Sequence, residues 1–170
     1  LAAAELAGLV GEFEKPRFFA YEARLCAHSR AGKVGCTQCI DVCSTGAIRS
    51  NGDPVEVDQH LCMGCGGCAT ACPSGAMRFA YPRLTDSGAR IKKALAVYYA
   101  AGGRDAALLF HDGAGSRELI HALARRGPGL PGRVIPLEVH HPASIGLDLM
   151  LGALAHGACE VMVLATPAER

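Results

Sequence analysis

Two stretches of the chain concentrate side chains that bind soft metals. CAHSRAGKVGCTQCIDVC (26–43) carries Cys26, Cys36, Cys39 and Cys43 at C-x9-C-x2-C-x3-C. CMGCGGCATAC (62–72) carries Cys62, Cys65, Cys68 and Cys72 at C-x2-C-x2-C-x3-C, followed by Pro73. Thiolates are soft, anionic ligands suited to iron–sulfur clusters and to zinc. Within C-x2-C-x2-C one loop wraps a corner of a cube-like cluster and sets three sulfurs on three irons. The cysteine three residues on opens a short helix and points away. Structural zinc would use two C-x2-C pairs as a four-cysteine site. It leaves the third cysteine of each run and the x3 spacing without a purpose.

The two runs are copies. A shift of 29 positions lays residues 35–49 on 64–78 with seven identities in fifteen, cysteines included. By that offset the partner of Cys62 falls at Lys33, and the cysteine itself lies seven residues earlier, at Cys26. The economical reading is a loop, HSRAGKV or part of it, inserted between the first and second ligands, with Cys26 keeping its role. Without Cys26 the first site would hold three cysteines and take either a [3Fe–4S] cluster or His28 as fourth ligand. Arg30 and Lys33 in this loop fit a solvated surface, or a positive rim for docking that also stabilises a reduced cluster.

Composition narrows the class. The 170 residues suggest one domain or two small ones, and 50% are apolar, enough for a packed core. A net charge of +1, 5% aromatics and no Trp argue against a nucleic-acid partner. Nine cysteines, an odd number at tight spacing with no signal peptide, point to metal ligation in a reducing cytoplasm rather than to disulfides. The chain opens at Leu1 rather than Met and is read as a piece of a longer protein. The most apolar stretch, 145–165, contains Asp148, His156, Glu160 and three glycines, so no membrane span is expected.

These cysteines need elements to hold them. Residues 1–16 read as an N-terminal helical extension ended by Lys15 and Pro16. Short strands are expected at 17–23, 54–58 and 77–82, with the Asn51-Gly52 turn signal between 47 and 53. From residue 88 the pattern alternates: helix 89–103, strand 106–111, helix 116–127, strand 133–139, helix 145–157, strand 160–165. In the 116–127 helix Ser116 is the expected N-cap and Leu119, Ile120 and Leu123 the apolar face. Pro136 suggests an edge strand or a bulge. Cys159, between a helix and a strand, is expected to be a core thiol. A β-α-β-α-β order implies a parallel sheet with right-handed crossovers. Three strands make a small sheet, and the 88–170 domain is expected to be incomplete at its C-terminus. By the resemblance of its cysteine runs to two-cluster ferredoxins, the 17–82 region is expected to be an α+β bicluster ferredoxin-like domain, followed by a small α/β domain with a parallel sheet (88–170).

The cysteine runs resemble the two-[4Fe–4S] bacterial-type ferredoxins over residues 17–82. The resemblance implies two [4Fe–4S] clusters with crossed ligation: Cys26, Cys36, Cys39 and Cys72 on the first, Cys62, Cys65, Cys68 and Cys43 on the second. Gly64, Gly66 and Gly67 would let backbone approach a cluster. Ile40, Ile48, Val55, Val57, Leu61, Met77 and Phe79 would form its dry shell. The chain departs from the family in the long gap after Cys26 and in Ser44, which stands where Pro73 stands in the second copy.

The later half is similar to the delta iron–sulfur subunit of hydrogenase–heterodisulfide reductase complexes over 106–165, through LLFHD, LPGRVIPLEV and LGALAHGACEVMVLA. That likeness implies a docking scaffold between larger subunits. The family's [2Fe–2S] cysteines are missing from the loops here, which instead offer His111, Asp112, His140 and His141. Those four form a candidate metal site, with polar loop residues as the plain alternative. Gly113–Ser116 at a helix start is a weak anion signal. No catalytic triad, paired-carboxylate motif or dinucleotide fingerprint is visible. The expected function is an electron-transfer module working with larger oxidoreductase subunits, not itself catalytic, with no nucleic-acid partner. Two rivals are an oxidoreductase subunit with its site in the His-bearing loops or in missing sequence, and a structural iron–sulfur or zinc protein.

Overall fold

The computed structural model describes residues 14–30 and 35–167. The expected helix at 1–16 and residues 31–34 of the inserted loop therefore fall outside the described residues, apart from 14–16.

The cysteine half consists of two small antiparallel pairs. Strand β1 (Phe19–Tyr21) pairs with β4 (Met77–Phe79), and β2 (Ile48–Ser50) pairs with β3 (Val55–Val57). Between the strands lie three helices of a single turn: α1 (Ala27–Arg30), α2 (Gln38–Asp41) and α3 (Gly67–Thr70). Strands this short bury too little surface alone to be stable. They close instead on a shared core of Phe19, Cys26, Ile48, Val55, Ala76 and Met77, against which Cys39, Cys43, Cys62, Cys68 and Cys72 pack.

The duplication seen in sequence is a pseudo-twofold in space. Strand β2 matches β4 at the 29-residue offset, since Ile48 and Met77 begin them. Strand β1 matches β3 at 36 residues, from Phe19 to Val55, which is the same offset plus the seven-residue insertion. Backbone bonds repeat accordingly. Glu22 N–H donates to Ala76 O at 2.9 Å and Asp58 N–H to Ala47 O at 2.8 Å. Cys43 N–H donates to Ile40 O, and Cys72 N–H to Ala69 O.

The second half is a three-stranded parallel sheet in the order β6-β5-β7, built from β5 (Ala107–Asp112), β6 (Val134–Val139) and β7 (Glu160–Leu164). Helix α4 (Leu84–Ala100) precedes it, α5 (Gly115–Arg126) joins β5 to β6, and α6 (Leu147–Ala155) joins β6 to β7. The central strand β5 is buried at every position, as a strand covered on both faces should be. Ile91 and Leu95, one helical turn apart, bring α4 onto α6 and onto Leu108 and Phe110 of the sheet. Pro136 lies on the edge strand β6, where a missing backbone donor is tolerated.

Four expectations need correction. Helix α4 starts at Leu84, five residues before the expected boundary, and closes with Gly103 N–H returning to Tyr98 O at 3.0 Å. Ser116 is not the N-cap of α5. Ala114 holds that position, and the Asp112 carboxylate two residues before it accepts from the N–H groups of Ala114 (2.7 Å) and Ser116 (3.1 Å). Helix α5 leans on the sheet through its first turn, where Ser116 is buried, so Leu119 and Leu123 are mostly exposed instead of forming a buried face. Cys159 is exposed as well. Its N–H enters the sheet by bonding Ala106 O at 2.8 Å, while its neighbour Ala158 takes the core position and the thiol faces Asp105.

Leu95→Ala empties a fully buried position between α4 and the sheet. It is expected to lower stability by about 2–5 kcal/mol, read as a lower urea midpoint under anaerobic conditions.

Candidate metal centres

Each cysteine owes its position to a local turn. Cys26 follows a 3-10 turn at Ala23–Leu25 and lies seven residues after the start of β1. Cys62 lies seven residues after the start of β3, so the two occupy equivalent places relative to their strands. Helix α2 carries Cys39 and helix α3 carries Cys68, and these two helices pack on each other. Cys43 and Cys72 follow the last turns of these helices.

The electrostatic surroundings of Cys39 and Cys68 show who their neighbours are. Burial, then Cys26, Cys72 and Cys36, pushes the Cys39 thiol up to about 11. Burial, then Cys65, Cys62, Cys39 and Cys43, pushes Cys68 up to about 12. Thiols from both copies thus crowd these two: Cys26, Cys36 and Cys72 stand near Cys39, and Cys62, Cys65, Cys39 and Cys43 stand near Cys68. Crowded sulfurs of this kind resist ionising together unless a cation is present, which is the chemistry of a metal-binding pocket.

Other groups favour the thiolate. At Cys43 burial works upward, but hydrogen bonds from the Thr45 hydroxyl and the backbone of Ala47 and Ile48 outweigh it and hold the thiol below its ordinary value. Cys72 is likewise lowered on balance, with burial opposed by Met77 N–H (3.4 Å to Sγ) and by the Ser74 hydroxyl (3.7 Å). Thr45 and Ser74 are equivalent under the 29-residue shift, a signal the alignment of the copies contained. At Cys26 burial is offset by the Tyr21 hydroxyl and by the Ser29 and His28 backbone, for a net lowering.

A cavity is lined by Cys43, Cys62, Cys65 and Cys68 and walled by Phe18 and Phe79. Gly64 has φ +76°, and a Cβ there would lie 2.6 Å from the Phe18 ring. Gly66 has φ +82°, and a Cβ there would lie 2.6 Å from Ser144 Cβ. Both glycines let the loop fold tightly where a side chain has no room. Of the expected dry shell, Ile48, Val55 and Met77 are buried, Ile40, Val57 and Phe79 are half-buried, and Leu61 is exposed. Leu61 follows a turn in which Asp58 Oδ1 accepts from the N–H groups of His60 and Leu61, and this turns the side chain outward. Phe18, which sequence reasoning passed over, supplies the missing wall.

Ser144 belongs to the α/β half, so the halves meet at this loop. His140 stacks on Phe18 with centroids 4.9 Å apart, and Tyr81 meets both rings edge-on. The Thr70 hydroxyl lies 3.3 Å from Ala143 O. Beside this joint an open cleft of about 730 Å3 has Cys72, Arg78, Arg83 and Asp148 among its lining residues.

The four residues of the candidate second site have separate occupations. His111 Nδ1 donates to Asp112 O at 2.7 Å, and the Asp112 carboxylate accepts from N–H groups at the start of α5. His140 packs on Phe18, and His141 Nδ1 accepts from Ala143 N–H at 3.1 Å. Among the described residues no group of three or more His, Cys, Asp or Glu is placed to hold a single metal ion. The Asp112 carboxylate also occupies the start of α5, where the Gly113–Ser116 segment was the weak anion signal.

Comparison with known proteins bears on the first half. Residues 34–76 match the family described as 4Fe-4S dicluster domain. Such a domain implies iron–sulfur clusters, and the match spans seven of the eight candidate cysteines while leaving Cys26 outside. Hydrogenase-4 component A of Escherichia coli is 34% identical over 93 residues, covering 54% of this chain and 40% of that protein. A component of the ion-translocating oxidoreductase complex of Methanosarcina acetivorans is 41% identical over 46 residues, or 27% and 17% of the two chains. Electron transport protein HydN of Escherichia coli is 44% identical over 52 residues, 30% of each. The matched stretch is thus less than half the length of each of these relatives. No solved structure matches the chain. Among the described residues no helix is long and apolar enough to cross a membrane.

Gly66→Ala and Gly75→Ala separate backbone strain from crowding. Both glycines have positive φ, and a Cβ at Gly75 would meet nothing within 4 Å. Gly75→Ala is expected to lower stability by about 1–2 kcal/mol from the left-handed backbone alone. Gly66→Ala should lose more, because Ser144 must move. Equal losses in anaerobic urea titrations would refute the joint.

Proposed function

We propose that this chain is an electron-transfer module that holds two [4Fe–4S] clusters and hands electrons to and from a larger redox enzyme. Cys26, Cys36, Cys39 and Cys72 would hold the first cluster, and Cys62, Cys65, Cys68 and Cys43 the second. The observation that supports this reading is the crowding of thiols from both copies around Cys39 and around Cys68. The names of the relatives, among them an electron transport protein and components of hydrogenase and oxidoreductase systems, support the same reading.

Each cluster, when bound, takes up and releases one electron at a time. The chain's own residues do the rest. The Thr45 and Ser74 hydroxyls and the Met77 N–H donate toward Cys43 and Cys72, which favours extra negative charge on the sulfurs. Phe18, Ile48 and Met77 exclude water from the sulfurs. The packing of α2 on α3 keeps Cys39 and Cys68 close, so the two sites are neighbours through protein rather than through solvent. The α/β half, through its likeness to the delta subunit of hydrogenase–heterodisulfide reductase complexes, would dock the module to its partner. Its His140–Ser144 loop already sits on the second cysteine loop. Thiolate ligands need a reducing compartment, so the proposal sites the module in the cytoplasm.

Anaerobically purified protein is expected to contain about eight iron and eight acid-labile sulfide per chain, with a visible band that bleaches on dithionite and coupled EPR signals in the reduced state. Cys68→Ala should abolish the second cluster. Zinc without sulfide would sink the reading.

A further inference from the structure

The nine-residue gap between Cys26 and Cys36 is the one place where the two copies differ in length. In the second copy two residues, Met63 and Gly64, tie the first ligand to the second. The first copy lacks that short tether, and something else must keep Cys26 beside Cys36.

His28 is built for this. It sits on α1, two residues after Cys26, and is 1% exposed. Its Nδ1 lies 2.9 Å from Cys36 O, a carbonyl that only accepts, so Nδ1–H is the donor. On the other side Nε2 is then the acceptor for the Ser50 hydroxyl at 3.0 Å, at the turn of the β2–β3 hairpin, with Gly52 O packed 3.2 Å away. One ring therefore bridges three segments: the Cys26 arm, the Cys36 loop and the hairpin. Arg30 N–H bonds Cys26 O at 3.1 Å, and the Tyr21 hydroxyl bonds Ser29 Oγ at 2.9 Å, so the arm is braced on both sides of the ring. With both nitrogens engaged by protein oxygen, His28 is not available as the fourth iron ligand that the gap had suggested.

We propose that His28 is a positioning residue that substitutes for the missing two-residue tether and holds Cys26 at the first cluster across the insertion. This rests on the two-cluster reading above. The clamp acts on geometry, through the Cys36 carbonyl and the hairpin turn. Without it, Cys26 would be a ligand on a loose arm, and the corner iron it holds would be the one released.

The test compares wild-type protein with His28→Leu, His28→Asn and His28→Gln, all purified anaerobically. Each is measured for iron and sulfide per chain and by EPR, as isolated and after dithionite. His28→Leu is expected to fall from about eight iron to about seven, with a three-iron signal as isolated and the second cluster's reduced signal retained. His28→Asn, which keeps an N–H donor near the Nδ1 position, should retain about eight. His28→Gln, which reaches toward the hairpin but forfeits that donor, should show the three-iron signal. A leucine variant with a full iron count and an unchanged reduced spectrum overturns the clamp. If the leucine variant does not fold, the amide pair decides, and equal iron in Asn and Gln overturns it. A wild-type chain that holds zinc without sulfide overturns the underlying reading, and the wild-type count alone distinguishes that from failure of the clamp.

Discussion

Eight sulfurs packed into two small groups repel one another as soon as they ionise, and the rest of the cysteine half is arranged around that repulsion. Cys39 and Cys68 bear most of it, being half-buried and surrounded by other thiols. Three other cysteines escape it through donors: Thr45 at Cys43, Ser74 and Met77 at Cys72, Tyr21 at Cys26. Cys39 and Cys68 sit on α2 and α3, which pack on each other, whereas Cys43 and Cys72 follow the last turns of these helices. A bound metal centre supplies the positive charge that makes the Cys39 and Cys68 positions tolerable.

The same loops that gather sulfur also bind the two halves of the molecule. Gly64 and Gly66 shape the second cysteine loop, and into the space they leave come Phe18 from the first half and Ser144 from the second. His140 then stacks on Phe18. The α/β half therefore reads the shape of a cysteine loop directly, without a linker between them. Its own core of Ile91, Leu95, Phe110 and Leu149 stands apart from this contact and needs no metal to form.

Much of this was legible in the residues. The 29-residue repeat implied equivalent sites, and the β-α-β-α-β alternation implied the parallel sheet, because both rest on local periodicity and spacing. Pro136 on an edge strand followed from its missing donor. What was not legible depended on tertiary context. Ser116 is not the cap because the strand end brings the Asp112 carboxylate under the helix start. Cys159 turned outward because Ala158 took the inner position. His28 looked like a spare ligand in a loop, and only the folded hairpin shows that its ring lies between Cys36, Ser50 and Gly52. The four polar residues of the α/β loops shared a sheet end in sequence but found separate partners in space.

The proposed crossed ligation would have a consequence for how such a chain is made. In it neither copy of the repeat contains a whole set of four: the first lacks Cys72, and the second lacks Cys43. As the polypeptide leaves the ribosome, the group around Cys68 is complete once that residue emerges. The group around Cys39 must wait four residues longer, for Cys72. Synthesis would then have to deliver both copies before either set could close.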